Sequence, residues 1–117
     1  MIELNCTYEE SKKILELGYD FGGLPIKYDG FMSIILTYDG NVPILPLSLI
    51  DKWLQKIKIK DLKIEKADWD HISIKTKKWE GLTEKHSLSI MTPFKAFLWC
   101  HENYPEELKK KFEEVMK

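Results

Sequence analysis

The sequence predicts an α+β fold, a small antiparallel sheet with helices packed on one face, in the order α-β-(β)-α-β-β-β-α-α. Three observations predict it. Helix start and stop signals bracket apolar residues at helical spacing near both ends and in the middle of the chain. Between them, from Ile57 to Ile90, apolar residues recur at every second position with lysines interleaved, the pattern of strands with one solvated face. A chain of 117 residues fits one domain, 1–117, and buries enough surface to need no disulfide or metal staple.

The first helix opens on Thr7-Tyr8-Glu9-Glu10, a capping box with Thr7 as N-cap and Glu10 three residues on. Tyr8, Ser11, Ile14 and Leu15 then line one face, and Gly18 supplies the left-handed stop. Tyr19 to Gly30 contains Gly22, Gly23, Pro25 and Gly30 and reads as loop. Phe31 to Tyr38 reads as a strand bracketed by two Tyr-Asp-Gly turns. A hairpin through Asp39-Gly40-Asn41 leads to Val42-Pro43-Ile44, whose proline marks an edge or exit.

A second helix begins after Pro46, with Ser48 as its expected cap, Asp51 in its first turn and a stripe of Leu49, Ile50, Trp53, Leu54 and Ile57. Ile57 and Ile59, Leu62 and Ile64, Ile72 and Ile74, and Leu88 and Ile90 then give the period-two runs, read as two or three antiparallel strands. Thr92-Pro93 is an N-cap followed by an N1 proline. Phe94, Phe97, Leu98 and His101 form one face of the helix that follows. Pro105 starts a last helix in which Glu106–Lys110 and Glu107–Lys111 are spaced to pair and Leu108, Phe112, Val115 and Met116 face inward.

Composition closes several functional routes. All 18 basic residues are lysine, arginine is absent, and the formal net charge is −1. Without a guanidinium fork there is no bidentate grip on guanine or phosphate and no arginine finger. Near-zero net charge gives no field to gather a polyanion or an anionic membrane. The apolar share of 44% and charged share of 32% are those of a folded domain. No run approaches the roughly 18 apolar residues of a membrane span, and the opening residues lack the basic and apolar regions of a secretion signal. Cys6 and Cys100 are therefore expected as reduced thiols in a cytoplasm.

Three stretches carry a resemblance. Cys6 to Gly18 (with its Ser11-Lys12 step and Leu17-Gly18 end), Leu45-Pro46-Leu47-Ser48-Leu49-Ile50-Asp51-Lys52-Trp53-Leu54, and Pro93 to Asn103 (with Trp99 and Glu102-Asn103) together resemble small uncharacterised proteins of phages and mobile elements in gut bacteria related to Bacteroides. Leu47 stands where those proteins more often have alanine, and the helix from Pro105 is an addition. The resemblance implies a phage or prophage accessory protein in the cytoplasm of a bacterial host and assigns no residue a role.

Candidate chemistry is sparse. Cys6, His71, His86, Cys100 and His101 include no Cys-x-x-Cys or His-x(3–5)-His spacing, so no metal site is expected. Adjacent Cys100 and His101 project about 100° apart on a helix, which suits a buried thiol and a near-core imidazole better than a nucleophile pair. Asp68 and Asp70 share a face of an extended segment, a spacing that can hold a hard cation but is ordinary for a solvated turn. No cofactor is implied. Lys56, Lys58 and Lys60 on one strand face, with Lys75 and Lys77 on another, form a candidate nucleic-acid patch, offset by Asp61, Glu65, Asp68 and Asp70. Fourteen aromatic residues, four of them tryptophan, exceed a minimal core. Trp79, between Lys77-Lys78 and Glu80-Gly81, and Trp99, opposite Phe94, Phe97 and Leu98 on its helix, are the candidate interface residues. The expected function is non-enzymatic binding of an unidentified protein or self-association, with a nucleic-acid-binding module as the alternative.

Overall fold

Capping and turn chemistry set where each element begins and ends in the computed structural model, which describes residues 5–23, 37–68 and 71–116. Helix α1 spans Tyr8–Glu16. The Thr7 hydroxyl accepts the Glu10 N–H at 3.1 Å and the Glu10 carboxylate accepts the Thr7 N–H at 2.9 Å, so the capping box is complete. The helix stops at Leu17, and Gly18 follows with φ +100°. Ser11 and Ile14 are buried. The Ser11 hydroxyl accepts the Leu45 N–H at 3.2 Å, and the Cys6 N–H donates to the Leu45 carbonyl at 2.8 Å, which fastens α1 beside the approach to the second helix.

A 3₁₀ turn at Phe21–Gly23 follows. The predicted strand from Phe31 lies outside the described residues up to Leu36. Its end is β1 (Thr37–Asp39), which pairs antiparallel with β2 (Val42–Ile44) around Gly40-Asn41. Gly40 takes φ +62° at the first of the two loop positions, the position that a type II′ hairpin turn gives to glycine.

Helix α2 spans Leu47–Lys56. Its N-cap is Pro46, whose backbone is already extended, and no side chain caps it. Ser48 therefore sits inside the first turn, past the position from which it could cap. Leu49, Ile50, Trp53 and Leu54 are buried as their spacing predicts. Asp51 is buried too, and its carboxylate meets the Lys66 ammonium at 3.4 Å and the Gln55 amide. That contact pins α2 to the sheet, because breaking a pair by removing one partner leaves a buried charge uncompensated.

The main sheet has the order β3-β4-β5, from Leu62–Asp68, His71–Glu80 and Thr83–Met91, all antiparallel. Among the described residues it is separate from the β1–β2 pair, so there are two small sheets where one was expected. Its inner face carries Ile72 and Ile74, both buried against the helices. Helix α3 (Pro93–Asn103) is capped by Thr92, whose hydroxyl accepts the Lys95 N–H at 3.4 Å. Helix α4 (Pro105–Met116) follows at once. Its surface pairing differs from the expected register, since Lys111 meets Glu114 at 3.8 Å.

The core is aromatic. Trp53 from α2, Phe97 from α3 and Phe112 from α4 close around Tyr19 and Phe21, with ring centroids 4.8–5.9 Å apart and mostly edge to face. This geometry places the positive edge of one ring on the negative face of another. Across the top, the Lys109 ammonium donates to the Leu17 carbonyl at 2.7 Å and lies 5.1 Å from the Tyr19 ring centre. One side chain of α4 thereby closes the C-terminal end of α1.

Candidate functional site

The β4–β5 hairpin outruns the core. Along β4 the inward side chains are Ile72, Ile74 and Thr76, all buried, followed by Lys78 and Glu80, both exposed. Beyond Thr76 both faces of the hairpin meet solvent, and the molecule is accordingly long, 51 Å by 32 Å by 26 Å. Glu80 and Thr83 are the last pair, and Gly81 takes φ +63° at the first position of the two-residue turn. Leu82 at the tip is 99% exposed.

That turn decides which side of β5 faces out. Pairing Glu80 with Thr83 puts Ile74 opposite Ser89 and Ile72 opposite Met91 on the inner face. Lys75 then pairs with Leu88, and Ser73 with Ile90, on the outer face. Leu88 and Ile90 repeat at period two as the sequence suggests, but they point away from the core, each 59% exposed. Trp79, on the same outer face beside Glu84, is 64% exposed. Apolar groups thus stand at both ends of the outer face, Leu88 and Ile90 near its base and Trp79 near its tip.

Between them lies a shallow groove of about 450 Å³ bordered by Asp61, Lys63, Lys75, Lys77 and His86. Lys63 and Lys75 stand opposite each other across β3 and β4, a like-charge pair that costs stability unless shielded. Glu65 shields both, at 3.0 Å and 3.6 Å. The hydrogen bond and charge of Lys63, helped by Lys75, hold the Glu65 carboxyl below the usual range. Glu84 does the same for Lys77 at 2.7 Å and His86 at 3.6 Å. The cations of this face are therefore largely matched by carboxylates set among them.

The other predicted positions disperse. Lys56 is the last residue of α2, Lys58 follows it in irregular chain, and Lys60 sits in the turn before β3. They do not form one strand face, because α2 ends at Lys56, the chain at Ile57-Lys58 is irregular and only Ile59 makes a bridge, to Leu62. Lys75 and Lys77 do share the outer face of β4. Trp99 is half-buried, packs against the core, and lies 5.9 Å from the Tyr104 ring. It is not an open anchor, since α3 has Ala96, Phe97 and Cys100 buried and Phe94, Leu98 and Trp99 partly covered.

The enzymatic candidates also resolve. Cys100 is fully buried, and burial pushes its thiol up to about 12. Cys6 is buried as well and is pushed to about 12 by burial and the nearby Glu10 charge. His101 turns its Nδ1 to the Tyr19 hydroxyl at 2.8 Å rather than to the neighbouring thiol. Asp68 meets His71 Nδ1 at 2.9 Å, and Asp70 lies outside the described residues. Among the described residues no three His, Cys, Asp or Glu side chains are grouped to hold a metal, and no helix is long and apolar enough to cross a membrane.

The sequence suggests an exposed Trp79, as observed, but does not single out the exposure of Leu82, Leu88 and Ile90. The available signal was Gly81: a glycine between two strand-like runs marks the hairpin turn, and placing it settles which parity faces inward. Comparisons with protein-family models, with curated proteins and with solved structures find no match.

Proposed function

We propose that this chain is a non-enzymatic binding protein, an accessory protein of a phage or mobile element, that engages another protein chain through the outer face of β4–β5. One observation carries the reading: Trp79, Leu88 and Ile90 all stand more than half exposed on one face of a sheet whose opposite face already fills the core. Burying a large apolar side chain is worth about 1.5–3 kcal/mol, and a few such anchors supply most of the energy of a typical interface. The charged row between them suits the polar part of such a surface. Buried, high-pKa thiols and a histidine engaged by tyrosine support a role without chemistry of its own.

The test is site-specific photo-crosslinking in the native host. A photoreactive residue in place of Trp79 or Leu88 is expected to give discrete protein adducts, and one at exposed Glu102 on α3 is not. Equal labelling from all three positions, or none from 79 and 88, would reject the reading.

A second reading, nucleic-acid binding, draws on Lys63, Lys75, Lys77 and His86 along the groove, with Trp79 two residues beyond Lys77 on the same face. A ring over a basic groove can stack a base. Since Glu65 and Glu84 already pair with these lysines, protein binding is the reading preferred. Single-strand affinity falling steeply with salt would reverse that preference.

A further inference from the structure

We infer that the occupant of this hairpin is a second copy of the chain, joined edge to edge through β5. This rests on the binding-face reading above and names its partner. Among the described residues β5 is an edge strand of nine residues, exposed along its length but for half-buried Met91, with no proline and no register shift against β4. The opposite edge differs. There β3 carries a register shift between Lys66 and Asp68, the kind of irregularity that protects an edge from pairing. β5 has no such break, and its one inward-facing charge, Lys85, is held by Glu80 at 2.7 Å.

The strand is its own complement. Its midpoint is Ser87, so a two-fold axis through that residue, normal to the sheet, pairs Thr83 of one copy with Met91 of the other. The same axis pairs Glu84 with Ile90, Lys85 with Ser89, His86 with Leu88, and Ser87 with itself. The whole strand is used, like charges are never opposed, and a small residue occupies the axis. Moving the axis to Lys85 sets two ammonium groups against each other. Moving it to His86 or Leu88 shortens the ladder.

The faces also agree. The axis keeps the helices of both copies on one side of a continuous six-stranded sheet. On the other side it brings the two Leu88 side chains into diagonal neighbourhood, roughly 7–8 Å apart, flanked by both Ile90 residues. The exposed apolar residues near the base of each hairpin become the centre of one shared patch, an isologous contact that closes at two copies.

Two measurements test this on the intact chain. Sedimentation across a wide concentration range is expected to show the mass rising from 13.8 kDa toward its double. Mild oxidation is expected to link Ser87→Cys to itself, whereas Ser89→Cys links efficiently only when mixed with Lys85→Cys. The native Cys6 and Cys100 are buried and do not compete. A wild-type monomer throughout, with no Ser87→Cys dimer, overturns the pairing, and so does Ser89→Cys linking to itself as fast as Ser87→Cys. A monomer that still gives adducts to another protein from position 79 overturns only the self-pairing. A monomer without adducts overturns both readings.

Discussion

Ile74 on β4 stands directly opposite Ser89 on β5, so the inner side of that ladder joins a buried isoleucine to an exposed serine. The apolar neighbours of Ser89, Leu88 and Ile90, are consequently turned outward. This one register relationship separates residues that hold the fold from residues of the same type that do not.

The first prediction follows directly. Ile74→Ala should destabilise the protein by about 2–5 kcal/mol, the usual cost of emptying a buried isoleucine site. Ile90→Ala should change stability by no more than about 0.5 kcal/mol. Denaturant unfolding of the two variants measures the contrast, and equal losses would mean the face assignment is wrong.

Trp53 offers a second. It is wholly buried, and among the described residues its indole N–H has no partner. A buried unpaired donor costs about 1–3 kcal/mol. Trp53→Phe removes that donor while keeping a ring among Phe21, Phe97 and Phe112, so it should cost far less than the roughly 3–5 kcal/mol of Trp53→Ala. Thermal or urea midpoints would show it, and a Phe variant as unstable as the Ala variant would refute it.

The closure of α1 by α4 gives a third. Lys109→Met keeps the packed stem but loses the charged hydrogen bond to the Leu17 carbonyl, and should cost about 1.5–3 kcal/mol. Gly18→Ala should be worse. Its φ of +100° disfavours any side chain, and a Cβ there would lie 2.5 Å from the Lys109 ammonium. The double variant should lose less than the sum, which a double-mutant cycle would reveal.

The fourth concerns alkaline pH. Burial raises Cys6 and Cys100 from 9.0 to about 12 and Tyr19 from 10.0 to about 12 in the folded chain. An unfolded chain gives up these protons earlier, so stability is fully present below about pH 9 and declines as pH rises toward about 12. Unfolding free energies measured through this window should fall, and Cys100→Ala should fall less steeply. Both native thiols should react with a thiol reagent at pH 8 only as fast as the protein opens. A pH-independent stability would contradict the burial of these groups.

Local chemistry was the legible part. Thr7, Glu10, Gly18 and the Thr92-Pro93 step predict helix ends that the structure places as expected, because each cap depends on residues three or four apart. Register was not legible, since period two groups Leu88 with Ile90 but does not say which face they take. The two-residue turn at Gly81-Leu82 says so, and only once the strands on both sides are already known. Lys56, Lys58 and Lys60 failed for a related reason. α2 ends at Lys56, and the chain after it runs irregularly to a single bridge at Ile59 and turns at Asp61 with φ +62°, so the local alternation there builds no strand. Trp79 was legible because its polar neighbours cannot accompany it into a core, whereas Trp99 packs on the core as part of a helix covered around most of its girth.

The passage of β4 from buried Thr76 to exposed Lys77, Lys78 and Trp79 also has an evolutionary reading. Substitutions beyond that row touch no packed helix, so they carry little penalty for the remainder of the chain. The packed core and the exposed hairpin can therefore be inherited at different rates. Lineages can change the outer side chains of this hairpin while Ile72, Ile74 and the aromatic cluster behind them stay as they are.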